Sequence, residues 1–193
     1  MSRRIRRVEF DLDKGDIDFL PREDVFAILR AADELIGKGG RNMLVKILKG
    51  SKEKRLLELG LDACPSYGYY SGLKAEEISH RVDWMILACY LTIQYDYRLP
   101  MLVFTEKGWE LEKLNYASEV FEDVLTAARK NDESIIERLR EHTNRQVVTI
   151  VLEKIRDEGT GVFIPLLEKW KAIEVKKVKA MINAAIIEIQ KRQ

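Results

Sequence analysis

Five cations crowd one glycine in the run KILKGSKEKRLLELGL at residues 46–61. Lys46, Lys49, Lys52, Lys54 and Arg55 surround Gly50, with Glu53 set against them, and Ser51 adds a hydroxyl. Lysine, arginine and serine side chains on one turn are the groups that grip phosphate oxygens of a nucleic-acid backbone. A solvated loop is the alternative reading of the same cluster. A second cluster lies at Tyr95-Asp96-Tyr97-Arg98-Leu99-Pro100. Tyr95 and Tyr97 stand two residues apart, so on a strand both project the same way, with Arg98 beside them. An aromatic at a hairpin tip can stack on the terminal base pair of a duplex and keep the strands apart. Tyrosine also favours strands for packing alone.

Other chemistry is poorly supported. His80 and His142 have no cysteine or serine constellation around them, and Glu76-Glu77 and Glu122-Asp123 read as solvated helix faces. Cys64 and Cys89 are too few and too far apart for a zinc site. Asp11, Asp13, Asp16 and Asp18 around Gly15 are spaced like a calcium loop, but Arg22 stands where the closing glutamate belongs. Gly37-Lys38-Gly39-Gly40 lacks the rest of a phosphate-cradling GxxxxGK[ST] loop. The expectation is a non-enzyme with no catalytic residue, metal or cofactor.

The 193 residues have room for one full domain and a smaller second one, and 46% hydrophobic content suffices for a packed core. No apolar run approaches the ~18 residues of a membrane span, so no membrane association is expected. Arg3, Arg4, Arg6 and Arg7 are followed by no apolar stretch of the kind a secretory signal needs. They read instead as a basic arm reaching a phosphate or minor groove, or as a frayed terminus. A reduced, cytoplasmic setting follows, nucleoid-associated in a bacterium. The net charge of +1 argues against indiscriminate coating of nucleic acid and leaves room for a local patch.

The elements that must position the two clusters are legible. Leu20-Pro21-Arg22-Glu23-Asp24 starts a helix whose stripe is Val25, Ile28, Leu29, Ala32 and Leu35-Ile36, ended by the 37–40 glycine cluster. Met43, Leu44, Ile47 and Leu48 mark a second helix that Gly50 stops. Cys64-Pro65-Ser66-Tyr67-Gly68 must be loop. A helix over 74–90 places Ile78, Val82, Met85, Ile86 and Cys89 on its core face, with His80, Trp84 and Leu87 roughly opposite. Strands at 90–95 and 101–105 flank the tyrosine cluster, and Pro100 blocks pairing there and so protects an exposed edge. Helix, turn, helix, β-hairpin is the order of a winged helix, in which the last helix reads a major groove. Here that helix offers Glu77, Asp83 and an indole outward, with Arg81 and Lys74 as nearby cations. Such a face suits protein contacts better than phosphates, and Trp84 is expected to be covered by another part of the chain.

ILKGSKEKRLLELGL, PSYG and LVFTEKG resemble the RQC domain, the winged helix that follows the motor of RecQ DNA helicases. The resemblance covers roughly residues 20–109. It implies a mostly α fold with a small β-wing: an RQC-like winged helix-turn-helix at 20–110, preceded by a basic/acidic arm at 1–19. It further implies DNA contacts by Lys49, Ser51 and neighbouring Lys52, Lys54 and Arg55 in the turn, by Tyr95, Tyr97 and Arg98 in the wing, and by Thr105 and Lys107 at the strand end. The wing tip is shorter than in long-hairpin members. The helicase motor and the four cysteines that usually precede this domain are missing from the sequence, so a form without its engine is expected.

From 111 to 193 the pattern is all helical. FIPLLEKW followed by EVKKVKAMINAAIIEI is similar to one HEAT repeat. One repeat cannot bury its own face and stacks on a neighbour: the upstream helices, the Trp84 face, a second copy in a homodimer, or a partner. The leading expectation is a non-catalytic protein that binds double-stranded or forked DNA, in repair or recombination by analogy, with a helicase or other partner held by the C-terminal helices. The rival is an adaptor using the winged helix and helical tail as docking surfaces. A sequence-specific repressor is a weaker third, because no helix shows the Arg/Asn/Gln row that reads base edges.

Overall fold

Pro21 fixes the backbone at the start of the first helix, α1 (Arg22–Leu35), and Glu23 and Asp24 complement its N-terminal dipole. The computed structural model describes residues 11–193; the Arg3, Arg4, Arg6 and Arg7 arm lies outside the described residues. The chain forms two compact units, one ending at Glu112 and one comprising Lys113–Gln193.

In the first unit α1 is followed by α2 (Arg41–Lys49), the short α3 (Lys54–Glu58) and α4 (Ala75–Leu87), then strands β1 (Leu91–Asp96) and β2 (Leu99–Phe104). Ile28 and Leu29 of α1, Leu44, Ile47 and Leu48 of α2, and Ile78, Val82 and Met85 of α4 are fully buried in one core, to which the wing adds Leu91 and Leu102. Each such side chain contributes roughly 1.5–3 kcal/mol by leaving water. This is a winged helix, mostly helical, with one two-stranded antiparallel sheet.

Three expectations need correction. The hairpin turns through two residues only, Tyr97 and Arg98, and Pro100 lies inside β2 opposite Tyr95. Leu102 shows why proline is tolerated there. Its N–H points away from β1 and donates to Gly39 O (3.2 Å). Pro100, two residues earlier, faces the same way, so the ladder loses no donor. Second, α4 ends at Leu87, and Cys89 adopts φ +59°, which turns its side chain outward instead of into the core. Third, Asp83, read as outward, is buried.

A single helix, α5 (Glu106–Lys130), runs from the wing into the second unit, where α6 (Ser134–Glu141), α7 (Arg145–Glu158), α8 (Ile164–Ile173) and α9 (Lys176–Lys191) follow. Asn131 stops α5 in the left-handed conformation (φ +54°), and Asp132 N–H closes back on Ala127 O (2.9 Å). Asn144 caps α7 by accepting from Gln146 N–H (2.8 Å). α9 packs on both α7 and α8. Glu174 sits buried in the turn before α9. It accepts from Trp170 Nε1 (3.0 Å), with Arg140 and Arg145 at 3.9 and 3.6 Å.

Candidate nucleic-acid interface

The lysine turn is built from two glycines that touch. Gly50 caps α2 with φ +76°, and Ser51 N–H returns to Lys46 O (2.9 Å). A Cβ on Gly50 would stand 3.1 Å from Gly68 Cα. That proximity lets Gly68 N–H donate to Ile47 O and Tyr70 N–H to Leu48 O, both at 2.9 Å, satisfying carbonyls the helix end leaves open. Tyr67 Oη donates to Ser51 O (3.0 Å). The KGS and PSYG motifs are thus two halves of one joint.

The joint sorts the five cations. Lys49 Nζ donates to the carbonyls of Ser71 and Leu73, both at 2.6 Å, and so ties down the loop. Lys46 pairs with Glu53. The Ser51 hydroxyl accepts from Glu53 N–H (3.3 Å). Lys52, Lys54 and Arg55 are left exposed at the crest. Lys54 lies 3.7 Å from Glu58, but a pair so exposed holds the lysine weakly.

On the wing, Tyr97 occupies the first turn position with φ +54° and is 83% exposed. A left-handed aromatic residue is strained by about 1–3 kcal/mol, a cost seen chiefly where the side chain's position matters. Arg98 is exposed beside it, whereas Tyr95 lies half-buried on β1. The two tyrosines therefore do not project together. Thr105 and Lys107 form a clasp at the other end. Thr105 Oγ1 lies 2.6 Å from Cys89 O and accepts Gly108 N–H (3.1 Å). Lys107 Nζ donates to Ala88 O (2.9 Å) over the Tyr90 ring. A Cβ on Gly108 would come within 2.0 Å of Tyr90 O. The TEKG motif docks the start of α5 on the end of α4.

Over 108 residues, 21–128, the chain matches the model of the RQC domain. The chain belongs to the RQC family. It is 29% identical over 101 residues to the ATP-dependent DNA helicase RecQ of Bacillus subtilis, covering 52% of this chain and 17% of that protein. No solved structure matches. RQC domains are non-catalytic and typically DNA-binding in RecQ helicases, and membership supports a DNA-binding role in that general sense. The matched range holds the turn, the wing and the clasp, and continues through most of α5.

The expected cover over Trp84 comes from the chain before α1, which sequence reasoning did not name, and the burial of Asp83 it missed. Residues 11–20 lie along the outward side of α4. Asp13 N–H donates to Asp83 Oδ2 (3.0 Å), and Trp84 Nε1 donates to Asp18 O (3.1 Å). His80 Nε2 stands 3.5 Å from the Asp13 carboxylate, and Gly15 packs against its ring. Asp83, 1% exposed, is held in a fork by Arg41, with Nη2 to Oδ2 at 2.6 Å. A carboxylate adjoining Val82 and Met85 on a buried helix was the available signal. Its partner, 42 residues upstream, was not.

Proposed function

We propose that this chain binds duplex DNA at an end or fork without catalysing a reaction. Lys52, Lys54 and Arg55 hold backbone phosphates, and Tyr97 with Arg98 engages the terminal base pair. The observation that carries the reading is Tyr97: a strained, exposed aromatic at the wing tip. Arg55 of the crest and Asp96, the residue before Tyr97, line one shared cleft, which supports joint use of crest and wing. Coverage of α4 by residues 11–20 supports engagement through crest and wing rather than through the recognition helix. Work in repair or recombination, beside a helicase or other protein held by a HEAT-like C-terminal unit, extends the same proposal.

Fluorescence anisotropy with blunt duplex, forked duplex and single strand, across salt, tests it. Binding that favours the fork, weakens steeply with salt and drops with Tyr97→Ala is the expected result. No binding to any of the three at low salt would sink the reading. An adaptor role is the second reading, favoured by the exposed Ile173, Val175 and Ile187 of the second unit. Deleting those side chains together would then abolish partner capture and leave DNA binding intact.

A further inference from the structure

Beside the wing lies a cleft of about 440 Å³. One wall is the backbone of residues 37–40 with Met43; the other is Leu99, Pro100 and Met101. The walls are held together at their base. Leu102 N–H donates to Gly39 O, and Gly40 approaches Pro100 so closely that a Cβ would lie 2.2 Å from its carbonyl oxygen. The rim carries Lys38, Lys46 and Arg55. Of its acids, Glu53 is taken by Lys46, which leaves Asp96 in a lining that also holds Lys38 and Arg55.

A mixed lining in which Met43, Leu99, Pro100 and Met101 supply apolar surface, with two available cations, suits a flat base bearing one phosphate, and the volume lies within the range of about 300–1,000 Å³ typical of small-ligand clefts. Position selects the source of that nucleotide. Leu99 follows Tyr97 by two residues around the hairpin turn and pairs with Asp96, the residue before Tyr97, so the cleft edge lies within about one or two nucleotide steps of the tip. Leu99 is itself 62% exposed, an apolar surface turned to solvent just behind the tip.

The geometry points to this cleft as the seat of the first unpaired nucleotide of a fork, received as Tyr97 closes off the duplex end. The inference rests on the fork-binding proposal above and deepens it. Stacking of one base on an apolar wall supplies affinity that a blunt duplex cannot draw on.

The test uses the full chain, with forks carrying 2-aminopurine at the first unpaired position of either arm, a blunt duplex of the same sequence, and free dTMP. Two exposed positions outside the crest are changed together, Lys38→Glu and Leu99→Ser. Fork affinity should fall about tenfold while blunt-duplex affinity stays within about twofold, consistent with the loss of one stacked base. The 2-aminopurine emission of one arm should respond to the wild type and not to the variant. An unchanged fork-to-blunt ratio in the variant would overturn the cleft assignment and leave the duplex-binding proposal standing. Equal wild-type affinity for fork and blunt duplex would overturn it as well. Tight binding of dTMP, with no fork preference, would make the cleft a free-nucleotide site instead. Absence of all DNA binding by the wild type would remove both proposals.

Discussion

Lysines 49 and 52 lie three residues apart, yet Lys49 is tied to two carbonyls and Lys52 stands exposed, so their alanine variants should separate cleanly. Under the proposed reading the crest presents three cations, Lys52, Lys54 and Arg55. Each phosphate neutralised adds about 0.9 to the slope of log affinity against log salt, so the crest contributes about 2.7 in all. Raising salt from 50 to 200 mM then costs about 40-fold in affinity through these contacts. Lys52→Ala should reduce the slope by about 0.9 and leave the melting temperature unchanged. Lys49→Ala should do the reverse. It removes two charge-assisted hydrogen bonds to Ser71 and Leu73 carbonyls, which are partly solvated, so about 1–2 kcal/mol of stability is lost. That is a melting shift of roughly 4–16 °C for a unit of this size. Anisotropy titrations at four salt concentrations and circular-dichroism melts read the two effects independently. A Lys49→Ala variant that flattens the salt slope as Lys52→Ala does, with no loss of stability, would refute the division of labour.

Arg41→Ala should cost about 3–5 kcal/mol in urea denaturation, because it strands a carboxylate that is 1% exposed, and Arg41→Met with Asp83→Leu should recover most of it. Gly108→Ala should destabilise, although the same change in a helix ordinarily adds ~1 kcal/mol of stability, since the new methyl would meet the Tyr90 carbonyl oxygen; an unchanged or raised melting temperature would contradict the clasp. Tyr70 gives a pH prediction. Burial first, and the negative Asp24 second, raise its hydroxyl above the ordinary 10.0. The folded state therefore keeps the proton that the unfolded chain releases. This contribution to stability is whole below about pH 10 and declines as the pH rises past it. Tyr70→Phe should flatten that alkaline decline with little loss at pH 7, since among the described residues the buried hydroxyl makes no close hydrogen bond, Asp24 acting on it chiefly through its charge. Absorbance at 295 nm and melts between pH 8 and 11 would show it.

Much of this fold is written locally. The 3.6-residue stripes of α1, α2 and α4, the stop at Gly50 and the loop at 64–68 all follow from residue type and spacing. What escapes is of two kinds. Cys89 and Tyr97 adopt left-handed backbone without being glycine, and no propensity announces that; one shortens α4 and the other tightens the wing. The second kind is long-range pairing. Thr105 and Lys107 carry groups that suit a phosphate, and only the three-dimensional structure shows them joined to the end of α4. Lys49 is the same case. Likewise the 37–40 glycines, which invite comparison with a phosphate loop, are small because β2 passes against them. The motifs that best mark the family are in large part joints of its scaffold. The exposed groups suited to DNA stand beside those joints.

Coverage of α4 has a consequence for what such a domain can discriminate. Base-edge readout needs free donors and acceptors on a helix that enters the major groove. Here Trp84 Nε1 is engaged by Asp18, Asp83 by Arg41 and Asp13, and His80 faces the Asp13 carboxylate. The acidic residues 11, 13, 16 and 18 also lay negative charge along the face that would have to approach phosphates. Displacing them would expose a buried carboxylate's partner and an indole before any DNA contact formed. Under the proposed reading, a crest of three cations and one exposed aromatic carries almost no sequence information, but it is sensitive to where a duplex ends. The chemistry left on the surface thus favours recognition of DNA shape over recognition of sequence.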